Sequence, residues 1–317
     1  MNIKFVLKYF AVAAFLCLAL RAHGTPQATA YNVHEQDSLQ QTGSSSYSVG
    51  YAPQGGAFVD QYSLVAGIDT QGANLSAAPI LQGPNGVNVT FPTGASFSPT
   101  VPTGNGYNKY QWGGGWTSES QLTSQYGSGT FTFTLGNATA TPTLSLDTLN
   151  PVFPISPLLT SGGTWSGGVL LIDPTVTNVL TFNTASFTDY AAATGSGTSG
   201  AQIKLELVDS NLAAIFPPSV SQNGLGKSNP AITSYTISAG SLAAGQTYNI
   251  QANYTVYDTV NNTAFTGTGI TGNPQGVAGY LTTTFITVQT IPEPSTWVPL
   301  AIGFSGFLII RFRRVKV

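Results

Sequence analysis

The sequence predicts an all-β protein whose body holds two β-sandwich-like domains. Apolar and polar residues alternate with a period of two in several stretches, most clearly over 247–256, which is typical of strands with one buried face. Only 7% of the residues are charged and 42% are hydrophobic, so the chain is too apolar for a disordered stalk. A proline-rich stretch with Pro151, Pro154 and Pro157 separates two such regions and predicts a domain boundary.

Residues 1–30 have the features of a signal peptide for export. Lys4 and Lys8 precede an apolar run at 9–20 that is too short for a permanent membrane span. The small-x-small cleavage site is Ala28-Thr29-Ala30, and an earlier candidate is Ala22-His23-Gly24.

The single cysteine, Cys17, lies inside that apolar run. The mature protein is therefore expected to contain neither a disulfide nor a thiol nucleophile.

Residues 31–56 are polar, rich in Ser, Gln and Gly, and show little periodicity. They predict a flexible arm or a ragged edge strand. The arm contains His34, Glu35 and Asp37, which are metal-ligand residue types. Three polar groups in a flexible arm are expected to be solvated, so we predict no metal and no cofactor there.

The body is acidic, because its only basic residues besides His34 are Lys109, Lys204 and Lys227. No basic patch remains for a phosphate backbone, so nucleic acid is not expected as a partner. The basic charge lies at the two ends of the chain, which by the positive-inside rule places the body outside the inner membrane.

The first sandwich-like domain is predicted over 57–148. Strands are indicated by alternation at 87–91 and 130–135. The segment between them, 104–121, is rich in Gly and aromatic residues and predicts a loop or a short twisted hairpin.

That segment contains four rings, Tyr107, Tyr110, Trp112 and Trp116, interleaved with Gly and amide side chains. This composition suits a sugar-binding platform, in which rings stack on pyranose faces and amides bind hydroxyls. The alternative is that the rings cap the core of the first domain. A carbohydrate-binding module centred on Trp112 and Trp116 is thus one hypothesis.

The second domain is predicted over 149–290. Its strands are expected at 169–172, 179–183, 203–207, 235–237, 247–256 and 281–288. The turn before the clearest of them contains Leu242, Gly245 and Tyr248 and resembles the corner of fibronectin type III and other immunoglobulin-like sandwiches. The resemblance implies an immunoglobulin-like domain in which the Tyr248 hydroxyl bonds back to the backbone; the alternative is an ordinary glycine turn.

Catalytic patterns are missing from the sequence. A Ser-His-Asp relay needs a histidine, the body has only His34, and no Gly-x-Ser-x-Gly elbow occurs. A glycoside hydrolase needs two facing carboxylates, and Asp60, Asp69 and Glu119 fit no motif. We predict that the chain is not an enzyme, with a secreted glycoside hydrolase as the remote alternative.

The last segment, 291–317, has three parts in a fixed order. A Pro292-Glu293-Pro294-Ser295 motif is followed by an apolar run at 297–310 and by the basic residues Arg311, Arg313, Arg314 and Lys316. As a helix the run rises about 21 Å against roughly 30 Å of bilayer hydrocarbon, so it is a marginal membrane span.

This order resembles the PEP-CTERM sorting signal of bacterial exported proteins, which is recognised by a membrane protease of the exosortase family. The resemblance implies that the chain is held in the inner membrane by 297–310 during sorting and is then released to the cell surface or beyond. It also implies a structural or adhesive role at the envelope or in an extracellular polysaccharide matrix. The alternative is an ordinary single-pass anchor.

Overall fold

The structure is a computed structural model that describes residues 27–51, 60–71, 78–91, 107–135, 141–193, 200–208, 220–223, 231–263, 265 and 275–291, and these residues are mostly β-strand. Within these ranges it forms seventeen strands in three sheets, with two short α-helices and one 3₁₀ turn. The predicted all-β class is confirmed.

The largest sheet has ten strands, and seven of them form its continuous path. These seven are β1 (Gln27–Gln41), β3 (Tyr62–Gln71), β6 (Tyr107–Trp116), β13 (Gly200–Val208), β14 (Val220–Asn223), β16 (Thr247–Asn261) and β17 (Gln275–Thr290). They lie in the order β14-β13-β16-β17-β1-β3-β6. Three short strands join this sheet at its sides: β2 (Tyr47–Val49), β10 (Thr164–Ser166) and β11 (Val169–Ile172).

Two smaller sheets complete the structure. The four-stranded sheet has the order β5-β4-β7-β8, from β4 (Ile80–Gln82), β5 (Asn88–Thr90), β7 (Gly129–Thr134) and β8 (Thr143–Leu146). The three-stranded sheet has the order β15-β12-β9, from β9 (Leu159–Ser161), β12 (Asn178–Phe182) and β15 (Ser234–Ile237).

Each smaller sheet shares a hydrophobic core with a different part of the large sheet. The first core joins Tyr31 of β1 and Leu64 of β3 to Phe131 and Phe133 of β7. The second core joins residues of β13, β16 and β17 to residues of β12 and β15, including Ile203, Ile250, Ile286, Leu180 and Tyr235. The first core also contains Phe265, Ala278 and Tyr280, which lie in the predicted second domain.

The large sheet nevertheless runs through both halves. β17 pairs with β16 on one side and, in parallel, with β1 on the other. The proline-rich segment at 151–157 is also bound to this sheet, because the Thr282 hydroxyl of β17 donates a 2.7 Å hydrogen bond to the Pro154 carbonyl. The large sheet and the first core therefore both extend across the boundary predicted at 148/149.

β1 corrects the prediction of a flexible arm over 31–56. Residues 27–41 form one strand with β17 on one side and β3 on the other, so they lie in the middle of the large sheet. Tyr31, Val33 and Leu39 are buried on one face of the strand. Glu35 and Asp37 lie on the same face, so two acidic residues interrupt the apolar alternation and the sequence does not indicate a buried strand.

β1 also bears on the end of the predicted signal peptide. Ala28 is buried and paired with Thr70 of β3. Residues 27–30 are thus the first residues of β1, while the signal peptide over 1–30 stays a prediction. The remainder of that segment lies outside the described residues.

The prediction of a loop or short hairpin at 104–121 is wrong. Residues 107–116 form the ten-residue strand β6, which pairs with β3 over its whole length, and helix α1 (Glu119–Tyr126) follows. Backbone hydrogen bonds from a long neighbouring strand hold the glycines in extended conformation, and the local sequence does not report that neighbour. A 3₁₀ turn (Thr184–Ser186) and helix α2 (Thr188–Ala193) are the other helical elements of the described ranges.

The other strand predictions are confirmed, with small shifts of their ends. The stretches predicted at 87–91, 130–135, 169–172, 179–183, 203–207 and 235–237 correspond to β5, β7, β11, β12, β13 and β15. The stretches at 247–256 and 281–288 are parts of the longer strands β16 and β17. In β16, Ile250, Ala252 and Tyr254 are buried in the second core, as their alternation predicts.

A steric contact between β16 and β17 generates a prediction about Gly279. A Cβ atom at this position would collide with the Val256 backbone carbonyl, next to a register shift between Tyr257 and Thr259. We expect Gly279→Ala to lower the free energy of unfolding by about 2 kcal/mol. The reason is that the clashing atom belongs to the backbone of a paired strand, which cannot move aside as a flexible side chain can. Gly43→Ala is the control, since its nearest neighbour is a side-chain atom at 3.5 Å, and equal denaturant midpoints for the two variants would contradict the prediction.

Candidate functional site

The predicted sorting motif at Pro292, Glu293, Pro294 and Ser295 begins immediately after the last described strand and lies itself outside the described residues. The membrane-stop residues Arg311, Arg313, Arg314 and Lys316 lie outside them as well. What the structure describes is the end of β17 that leads into the motif.

Thr290, the last residue of β17, is completely buried and bonded on all sides. Its hydroxyl donates to the Ala243 carbonyl at 2.7 Å and accepts from the Gln246 N–H at 2.9 Å. Its own N–H donates to the Gln246 carbonyl, and its carbonyl accepts from the Gly245 N–H. These bonds hold the strand end against the turn at 243–246.

Ile291 continues this ordered backbone by one residue. Its N–H donates to the Ile172 carbonyl of β11 at 2.9 Å. The sequence motif therefore starts one residue beyond hydrogen-bonded backbone, with no linker between the folded body and Pro292.

The same turn contains the predicted tyrosine corner. The Tyr248 hydroxyl accepts a 3.1 Å hydrogen bond from the Ala243 N–H, so the bond expected at the corner is present. Gly245 has φ of 70°, a left-handed conformation that favours glycine. Leu242 is buried in the second core. Hydrogen bonds thus join the turn at 243–246 both to Tyr248 and to the end of β17 at Thr290.

The four rings of the proposed sugar platform do not lie on one face of β6. Backbone register places Tyr110, Trp112 and Trp116 opposite Ile68, Ala66 and Tyr62 of β3, and Tyr107 falls on the other face by alternation. Ile68 and Ala66 belong to the first core.

Trp116 is the one ring of the four whose side chain is described. It packs edge-on against Tyr126 at 5.2 Å between ring centroids and donates from Nε1 to Gln125 Oε1 at 3.0 Å. Both partners belong to α1, which follows β6 in sequence. Trp116 is half-buried against the first core, the arrangement that the capping alternative expects.

His34, Glu35 and Asp37 form no joint site, because consecutive residues of a strand point to opposite faces. His34 lies on one face of β1, with its ring 6.0 Å from the Tyr257 ring, while Glu35 and Asp37 lie on the other. Burial lowers the pKa of His34 to about 4, so its imidazole is neutral near neutral pH. Among the described residues, no group of His, Cys, Asp and Glu could hold a metal ion.

Glu35 has a carboxyl group that could take part in acid–base chemistry, and the sequence does not reveal that it is buried. It is completely buried, and within the described part of the chain neither carboxylate oxygen has a hydrogen-bond partner. Burial raises its pKa to about 8, and the negative charges of Glu119 and Asp147 add to the shift. A carboxyl without solvent exposure can hold a proton but cannot reach a substrate in this conformation.

The comparisons with known proteins identify no family for this chain. No protein-family model and no curated protein matches the chain. A search of solved structures finds the crystal structure of the chicken CNTN1 FN1-FN3 domains, at 8% identity and a TM-score of 0.17. The alignment covers 84% of this chain but only 66% of that one, just under two thirds of its length. No helix in the described part of the chain is long and apolar enough to cross a membrane.

The protonated state of Glu35 generates a pH prediction. A carboxyl with a raised pKa binds its proton more tightly in the folded state than in the unfolded state. The contribution of Glu35 to stability is therefore greatest below pH 4.5, its ordinary pKa, and is lost as the pH rises towards 8. We expect the free energy of unfolding to fall by about 2 kcal/mol from pH 5 to pH 7, and Glu35→Gln to remove most of this fall.

The matched control is Asp173→Asn. Hydrogen bonds from Thr175 hold the pKa of this exposed carboxyl below its usual range, so its contribution is lost only as the pH falls below about 4. Denaturant titrations at several pH values measure both variants. A Glu35→Gln variant with the pH profile of the wild type would contradict the assignment.

The corner generates a separate prediction for Tyr248. Removing its hydroxyl leaves the Ala243 N–H without its protein acceptor, so Tyr248→Phe is expected to cost about 1 kcal/mol. Tyr47→Phe is the control, because Tyr47 is 57% exposed. If chemical denaturation gives both variants the same midpoint, the corner bond does not contribute to stability.

Proposed function

We propose that the chain is an exported cell-surface or extracellular-matrix protein of structural or adhesive type, processed by an exosortase-like membrane protease. The observation that carries the proposal is the order of three parts at the C-terminal end of the sequence: Pro292-Glu293-Pro294, the apolar run at 297–310, and the basic tail. In this proposal the chain is the substrate of the protease and is not itself an enzyme.

The bonded end of β17 supports this assignment by its geometry. Six residues lie between Thr290 and Trp297, and the seven Cα-to-Cα steps span at most about 25 Å when fully extended. An apolar run inserted in the membrane would hold the end of β17 within that distance of the membrane surface. The motif would then lie between the folded body and the bilayer, where a membrane protease can reach it.

The N-terminal end is proposed to be a cleaved signal peptide. Cleavage after Gly24 leaves β1 intact, whereas cleavage after Ala30 removes its first four residues, three of which pair with β3. The fold therefore favours the earlier of the two sequence candidates.

We further propose that the second half is an immunoglobulin-like sandwich. Its strand orders, β9-β12-β15 in one sheet and β13-β16-β17 in the other, correspond to strands A-B-E and C-F-G of the constant-type immunoglobulin fold. The Tyr248 corner precedes β16, as it precedes strand F in that fold. Extracellular polysaccharide is the partner that a matrix role implies.

The sorting proposal is tested by replacing Pro292, Glu293 and Pro294 together with alanine in the native host. We expect processing to stop, because the motif that the protease recognises is gone. A longer chain should accumulate in the membrane fraction, and intact-mass spectrometry of envelope and medium measures the change. The wild-type mass is expected to end near Pro294 and to begin after Gly24.

Alanine replacement of Tyr47, Ser48 and Val49 is the control, because these three residues of β2 are exposed and distant from the motif in sequence. This variant should be processed as the wild type is. Unchanged processing of the motif variant, or a wild-type mass that runs through Val317, would leave the chain a plain membrane-anchored protein.

A further inference from the structure

The large sheet ends in two strands of very different length. At one end lies β14, with four residues, and at the other lies β6, with ten. β6 pairs with β3 through ten consecutive residue pairs, and no other described strand borders its second side. One side of β6 thus presents about 33 Å of backbone N–H and C=O groups, as far as the described residues extend.

β6 carries few of the features that protect sheet edges from pairing. Proteins protect edges with short strands, prolines, bulges and charges. The edge strands of the smaller sheets, β5, β8, β9 and β15, have only three or four residues each. β6 has no proline, no register shift and a single charge, Lys109.

We propose that β6 is a self-association edge, through which two copies of the chain join antiparallel and extend the large sheet across a two-fold axis. The inference goes beyond the proposed function, because it concerns the folded body alone and holds whether or not the sorting motif is processed.

The two-fold symmetry restricts the register of this pair. An axis perpendicular to the sheet places one residue opposite itself, and the middle of β6 falls between Gln111 and Trp112. With either residue on the axis, nine of the ten residues of β6 find a partner within the other copy of the strand.

The sequence of β6 suits both of these registers. Lys109 stands opposite Gly113 when Gln111 is on the axis and opposite Gly115 when Trp112 is, so the two lysines never face each other. The glycines at 113–115 stand opposite residues that carry side chains, and an aromatic residue opposite a glycine covers the gap that the glycine leaves. A parallel, in-register pair of two copies would instead place Lys109 opposite Lys109. Like charges that face each other are destabilising, so the antiparallel pair suits this strand better.

The first test uses the full chain in detergent solution and sedimentation velocity. We expect a dimer for the wild type and, for the double variant Gln111→Lys with Gly113→Lys, a dissociation constant raised at least about tenfold. The reason is that the added lysines face another lysine in either register. The matched control is Tyr47→Lys with Val49→Lys, which adds the same two charges at the same spacing in the exposed strand β2 and should leave the dimer unchanged.

The second test remains decisive if the double variant does not fold. Gln111→Cys and Trp112→Cys are introduced singly in a Cys17→Ser background, and mild oxidation follows. One of the two should form a disulfide-linked dimer, because the residue on the axis faces its own copy at a cross-strand Cβ distance of about 5 Å. Asn88→Cys, on the exposed face of β5, is the control and should stay monomeric.

A monomeric wild type would overturn the proposal. A double variant that dimerises like the wild type would place the interface elsewhere and overturn it equally. Failure of both 111 and 112 cysteines to crosslink would exclude the antiparallel two-fold pair.

Discussion

The parallel pairing of β1 with β17 is the interaction on which the rest of the structure depends. It joins the first described strand of the chain to the last, over residue pairs from Ala30–Gln275 to Gln40–Phe285. β17 also borders β16, and β1 also borders β3, so this pair is where the strands of the first core meet those of the second. Without it, the large sheet would consist of two unconnected pieces.

This pairing has two physical consequences. Because the partners are more than 200 residues apart in sequence, the large sheet can form only after almost the whole body has been synthesised, and such non-local contacts make folding slow. Because the strands are parallel, the beginning of β1 and the end of β17 lie at opposite ends of the sheet. The proposed signal peptide and the proposed sorting segment therefore leave the body on opposite sides, which suits a protein that loses the first before it is held by the second.

Several buried polar side chains of the large sheet bind the backbone of segments that pack on it. Gln41 at the end of β1 donates to and accepts from the backbone of Leu159, at 3.0 and 2.8 Å. Thr282 and Tyr280 of β17 bind the carbonyls of Pro154 and Asp147. Glu35 has no hydrogen-bond partner among the described residues, and its raised pKa reflects the free energy that its ionised form would cost there.

Composition and alternation alone determined the all-β class, most strands of the second half and the turn at Leu242, Gly245 and Tyr248, because these depend on neighbours within a few residues. The proposed sorting motif likewise rests on the linear sequence alone. Only the tertiary structure decided that residues 31–41 are a central strand, that the glycine-rich segment at 107–116 is a long edge strand, and that Glu35 is buried. In each case the deciding partner is a strand distant in sequence, β17 or β3, whose hydrogen bonds and packing outweigh the local preference of the chain.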